Sequence, residues 1–158
     1  MRHDNEENNM HETSWRRLPL RGLKPICLGL ALAALPATAD EGAAEYREHV
    51  MESIGGHMQS AVDILRRKVP HQQHLALHVN ALADLAGIAD TLFPEGSEGG
   101  DALPAIWENP EDFRTRLTDF QQAAADLKRA LDDGGEIGPA FQQLGQACKA
   151  CHDNYRDD

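Results

Sequence analysis

The sequence predicts an all-α fold, an antiparallel up-down-up-down four-helix bundle, on three observations. From Glu41 onward, apolar residues recur every three or four positions in four long runs, the period of an amphipathic helix. Pro and Gly separate the runs, at Pro70, at Pro94 to Gly100 and at Gly134-Gly135. Aromatic residues are only 5% of the chain while alanine and leucine dominate, which favours helix over sheet. A length of 158 residues suits one domain, and short joins make consecutive helices antiparallel neighbours.

The residues before the first run form a separate segment, 1–39. Met1 to His11 is a polar lead. Arg16, Arg17, Arg21 and Lys24 then make a basic region, followed by the apolar run PICLGLALAAL and the small-residue triplet Ala37-Thr38-Ala39. That order is the pattern of an export signal, and the run is too short to span a bilayer comfortably. Cleavage after Ala39 is expected, leaving 40–158 as the mature bundle, periplasmic and without stable membrane insertion. Cys27 lies within the apolar run behind Lys24-Pro25-Ile26, which is not a lipoprotein cleavage pattern, so it departs with the signal. The mature part carries 10 basic and 22 acidic residues, a net charge of −12. Such acidity argues against nucleic acid and anionic membrane as partners.

The first helical pattern runs over about 43–68, with Tyr46, Val50, Ile54, Met58, Ala61 and Leu65 along one stripe and Pro70 ending it. Gly55-Gly56 interrupts this pattern. Two readings stand: a tolerated weak point costing about 1 kcal/mol per glycine, or close approach of another helix or a cofactor edge. The second pattern, about 72–92, carries Leu75, Val79, Leu82, Leu85, Ala89 and Leu92. The glycine-rich stretch Glu95 to Gly100 is a loop. The third begins at Pro110, a favourable first-turn residue, and carries Phe113, Leu117, Phe120, Ala124, Leu127 and Leu131. The fourth, about 137–156, carries Ile137, Phe141, Leu144, Cys148, Cys151 and Tyr155.

That last stripe contains Cys148-Lys-Ala-Cys151-His152, the attachment signature of c-type haem. On a helix, residues at i, i+3 and i+4 share one face. Two thiols one turn apart can each form a thioether to a haem vinyl, and the adjacent neutral imidazole can serve as proximal iron ligand. A thioredoxin-like dithiol needs a βαβ setting, and no strand pattern precedes Cys148. A structural zinc site needs four ligands, and the chain has no second cysteine pair. The expectation is therefore a bundle with one covalently bound haem c. With so few aromatic residues, a large buried cofactor also supplies apolar contact that the core lacks.

A haem motif at the C-terminal end of a four-helix bundle resembles the cytochrome c′ family, unlike the small cytochromes c, where the motif lies near the N-terminus. The likeness covers about Ala44 to Arg156. Its specific pieces are Tyr46-Arg47 followed by Met51, the loop from Gly96 to Asp101 with Ile106-Trp107 beyond it, and Cys148 to Arg156. The resemblance implies that Met51, four residues after the arginine, faces the open side of the iron. It implies haem-pocket contacts at Arg47, Glu48, Ser97 and Glu98, near the propionates and the haem edge. It is further compatible with a homodimer through the first two helices, whereas low-spin relatives tend to be monomeric.

Elementary chemistry supports part of this set. A haem propionate is anionic, so Arg47 is a sensible charge-assisted partner. Glu98 would be an odd direct partner and more plausibly orders the loop, whereas Ser97 can cap the loop or bond a propionate. Arg156 lies one turn after His152, where it can shield the imidazole or simply fray. Trp107 reads as packing. His71, His74 and His78 form a polar face on the second helix. His49 and His57 flank Met51 off the apolar stripe, and Met58 lies on it as core.

Two functions follow from the sixth iron position. Ligation by the Met51 thioether suits electron transfer. If Met51 only stands over the iron, the site is five-coordinate and admits nitric oxide or carbon monoxide, as in high-spin members of the resembled family. No distal acid–base pair suggests an enzyme, and the redox partner is not legible.

Overall fold

The computed structural model describes residues 39–157; residues 1–38 of the expected export signal lie outside the described residues. The chain forms α1 (Ala39–Leu65), α2 (Leu75–Gly87), a short α3 (Ala105–Glu108), α4 (Pro110–Asp132) and α5 (Ile137–Tyr155), with one-turn 3-10 segments at Gln72–His74 and Ala89–Thr91 flanking α2. The four long helices make the antiparallel bundle.

The stripe on α4 comes out as its spacing requires. Phe113, Leu117, Phe120, Ala124 and Leu127 are all buried, and Pro110 opens the helix. On α5, Leu144 and Tyr155 are buried, while Ile137, Phe141, Cys148 and Cys151 pack half-buried against the core. On α2 and its 3-10 extension, Val79, Leu82, Ala86, Ala89 and Leu92 are buried.

Four local expectations need correction. The first helix ends at Leu65, well before Pro70. Arg67 takes a left-handed conformation, φ 55°, and lets the Arg67 and Lys68 amides close back on the carbonyls of Ile64 and Asp63 at 2.9 Å each. The second helix is shorter than its pattern, because the chain tightens into 3-10 geometry after Gly87. The short α3 was not expected. Tyr46 is 56% exposed, and the inward position at this end of α1 belongs to Arg47, only 3% exposed.

The packing order positions the site. Helix α1 packs on α2, α2 on α4, and α4 on α5, but α1 makes no comparable contact with α5. The ring of helices is thus left unclosed between α1 and α5. The loop after Leu92 is laced to the end of α5 instead. The Leu103 amide donates to the Tyr155 carbonyl at 3.1 Å and the Asp157 amide to the Asp101 carbonyl at 2.8 Å.

Candidate functional site

The unclosed side of the bundle is a cavity of about 620 Å³, within the range of about 300–1,000 Å³ typical of cofactor sites. Its α5 wall presents Cys148, Cys151 and His152, and its α1 wall presents Met51 and Met58. The α4 side supplies Phe113, Leu117 and Phe120, so the floor is apolar. Gly55 on α1 and Gly145 on α5 also line the cavity, and no side chain or neighbouring element lies within 4 Å of where a Cβ would stand on either. Both walls are therefore bare enough to take a flat apolar macrocycle. Close approach of a second helix does not explain Gly55-Gly56, and α1 runs through the pair without a break.

The two thiols are free, half-buried cysteines. Burial raises the pKa of both, and burial together with its neighbour Cys148 lifts Cys151 to about 11. Neutral thiols are poor nucleophiles and poor metal ligands, which argues against dithiol exchange and zinc. The His152 imidazole is pushed below its ordinary pKa, first by burial and then by the Arg156 guanidinium. It is therefore the neutral form that an iron ligand requires. Arg156 Nη1 and His152 Nδ1 lie 3.2 Å apart, so the arginine orients the ring from the C-terminal side. Behind the cysteines, the buried Tyr155 donates a 2.7 Å hydrogen bond to Asp112 Oδ2 and packs edge-on against Phe113. This ties the haem-motif helix to the start of α4.

Arg47 and Glu48 line the cavity. Most of the Arg47 guanidinium is engaged by the loop. Nη1 donates to the Ser97 carbonyl at 2.9 Å, to the Ser97 hydroxyl at 3.1 Å and to the Leu92 carbonyl at 3.4 Å, while Nη2 donates to the Gly99 carbonyl at 2.9 Å. Its cation also stands 5.3 Å from the Phe93 ring centre and 5.7 Å from that of Trp107. Burial lowers the Arg47 pKa against the opposing charges of Glu48 and Glu98. Ser97 is buried and Glu98 is exposed, and neither lines the cavity; they meet it through Arg47. Gly100 packs so tightly beneath Glu48 that a Cβ there would collide with the carboxylate, and its φ of +56° disfavours a side chain as well.

Trp107 packs against the core and donates Nε1–H to the Pro94 carbonyl at 3.1 Å. His49 and His57 do not line the cavity, whereas Met58 does. Glu52, which the sequence did not single out, and Asp101, named only as the end of the family loop, also line it. Glu52 could have been found from its place beside Met51, but Asp101 is brought there by the loop, with no local signal. Among the described residues no helix is long and apolar enough to cross a membrane.

The family model described as Cytochrome C′ matches residues 42–156. The chain is 31% identical over 152 residues to cytochrome c-554 of Cereibacter sphaeroides, covering 87% of this chain and 98% of that protein. It is 32% identical to a cytochrome c′ of Rhodospirillum rubrum, covering 86% of this chain and all of the relative. Among solved structures, a nitric oxide complex of a mutant cytochrome c prime from Alcaligenes xylosoxidans superposes with a TM-score of 0.70 at 30% identity, covering 75% of this chain and 97% of the other.

Proposed function

The chain belongs to the cytochrome c′ family, whose members carry covalently attached haem c, and on that premise we propose that it is a periplasmic monohaem electron carrier rather than an enzyme. The observation that carries this reading is the convergence of Cys148, Cys151 and His152 from α5 with Met51 from α1 on one apolar cavity. Cys148 and Cys151 would hold the haem by thioethers, His152 would ligate its iron, and Met51 would offer its thioether from α1.

Bound haem c supplies a one-electron couple, and the protein's part is to fix its surroundings. The apolar floor of Phe113, Leu117 and Phe120 would face the haem, and the packing of α1 and α5 would hold Met51 and His152 beside it. Arg156 stands beside the His152 ring. Arg47 clamps the loop with Ser97, and its uncommitted N–H groups are available to a propionate. Glu98 acts on that guanidinium as a nearby charge, and Glu48 lies at the cavity edge.

A second reading rests on a separate observation. Several of the similar solved structures are nitric oxide complexes. If Met51 stands beside the iron without binding it, the same cavity receives a small neutral gas, and nitric oxide or carbon monoxide is the ligand. Pairing into a homodimer through α1 and α2 accompanies this reading. One optical spectrum of the reduced protein, with and without carbon monoxide, separates the two. A low-spin spectrum indifferent to the gas supports the electron carrier; a high-spin spectrum that forms an adduct at once supports gas binding.

A further inference from the structure

Away from the cavity, the α1–α2 seam brings two half-buried imidazoles together. His57 Nδ1 on α1 and His78 Nδ1 on α2 lie 2.9 Å apart, with 5.2 Å between ring centres and a tilt of 57°. The centre separation equals the nitrogen gap plus both ring radii, so the rings meet end-on in a near-linear hydrogen bond. Such a bond needs a proton on one Nδ1 and a lone pair on the other. In the uncharged pair, one ring carries its proton on Nδ1 and the other on Nε2. A first added proton keeps the bond and makes it charge-assisted. A second sets two N–H groups and two positive charges against each other, and the bond is lost.

This seam is where α1 is held. Its helix contacts are with α2 and the 3-10 segment before it, with none comparable to α4 or α5. Only the Arg47 clamp on the loop ties its other end. We propose that His57 and His78 form a proton-operated clasp, closed by a shared proton at neutral pH and opened in mild acid when both rings are charged, so that acid loosens α1 from α2. His57 follows Met51 by six residues on the same helix, roughly 9 Å along its axis. On the reading of Met51 as sixth ligand, on which this consequence rests, opening the clasp also slackens the placement of that thioether.

The surroundings agree. Burial, followed by the neighbouring His57 and His74, lowers the pKa of His78. Among the described residues, the charges that act on this ring are thus His57 from α1 and His74 from the 3-10 segment, and none comes from α4, the other helix packed on α2. Around His57, the α1 positions one turn away are Ser53, Ile54, Ser60 and Ala61, all uncharged. No carboxylate acts on His78 to steady a doubly charged pair. A histidine with a depressed pKa contributes stability above its unfolded value of about 6.5, and that stability is lost as pH falls through the folded value. The clasp therefore opens on the acid side of neutrality.

The test compares holoprotein of wild type, His57→Gln, His78→Gln and His74→Gln between neutral pH and about pH 5, the range in which histidine changes charge. Glutamine can still bond the remaining ring but cannot become charged. Nuclear magnetic resonance of the imidazoles should show His57 and His78 titrating as a coupled pair in the wild type. In His57→Gln, the His78 midpoint should move up toward its ordinary value. The melting temperature of the wild type should fall on acidification by a few degrees more than that of His57→Gln or His78→Gln, while His74→Gln keeps the wild-type slope. Carbon monoxide should bind the reduced wild type several-fold faster in acid, and the two clasp variants should lose that acceleration. A His78 midpoint unchanged in His57→Gln overturns the clasp, and so do equal acid losses in all four proteins. A wild type that is high-spin at neutral pH ends the reading of Met51 as ligand instead, and the titration and melting curves then decide the clasp alone.

Discussion

Arg47 Nη1 donates to both oxygens of Ser97, the carbonyl at 2.9 Å and the hydroxyl at 3.1 Å, so a buried cation of α1 closes the loop beyond α2. A charged side chain that is only 3% exposed is stable there because loop oxygens and two aromatic faces replace its water. Arg47→Ala leaves buried carbonyls without donors and should destabilise the fold by about 2–4 kcal/mol. Arg47→Lys should recover only part of that, because an ammonium lacks the planar fork. Chemical denaturation checks both, and full stability in the lysine variant would deny the clamp.

The end of α1 predicts a gain. Arg67 holds φ 55° without being glycine, a conformation that costs an ordinary side chain about 1 kcal/mol. Arg67→Gly should raise stability by roughly that amount, with no change in haem spectrum. A lower melting temperature would mean that the Arg67 side chain does more than cap the helix.

The Tyr155–Asp112 bond predicts a pH window. Tyr155 pulls the Asp112 carboxyl below its usual pKa, and the carboxylate holds the Tyr155 phenol above its own. The depressed carboxyl contributes stability above its unfolded value of about 3.9, lost as pH falls through the folded value. The raised phenol contributes below about 10, lost as pH rises through its folded value. Tyr155→Phe should therefore lower the melting temperature by a few degrees at neutral pH, and the difference should shrink toward both extremes. Melting curves across pH decide this; a difference that stays constant would assign the effect to packing.

Gly145 and Gly55 leave the cavity walls bare. Gly145→Leu should place a branched side chain in the cavity proposed for the haem and cut the yield of holoprotein severely, while the helical content of the recovered chain stays near wild type. Cys148→Ala and Cys151→Ala should each lower the yield through loss of one thioether. Intact mass after acid–acetone treatment reads all three. Normal haem content in Gly145→Leu would move the haem elsewhere.

How much of this was legible depended on how local the cause was. The α4 and α5 stripes, Pro110 at a helix start and the Cys148–His152 signature each follow from spacing within one helix, and the sequence reveals them. The outward turn of Tyr46 was not readable, because hydropathy places it inward, and the inward place of Arg47 came only from the family likeness. Loop oxygens and aromatic rings some fifty residues distant make burial of the arginine favourable. The αL stop at Arg67 carries no glycine to announce it. Ser97 and Glu98 were named from a family likeness, and the geometry ties them to Arg47 rather than to the cavity wall.

The most direct test of the account is the reduced optical spectrum of wild type and Met51→Ala, each with and without carbon monoxide. Met51 lines the cavity one turn after Arg47 on α1, and His152 lines it from α5. As the sixth ligand, its thioether should make the wild type low-spin and indifferent to the gas. Met51→Ala should then become high-spin and bind carbon monoxide readily. Identical spectra and identical gas binding in the two proteins would contradict the account, because Met51 would then have no part in the iron's open side.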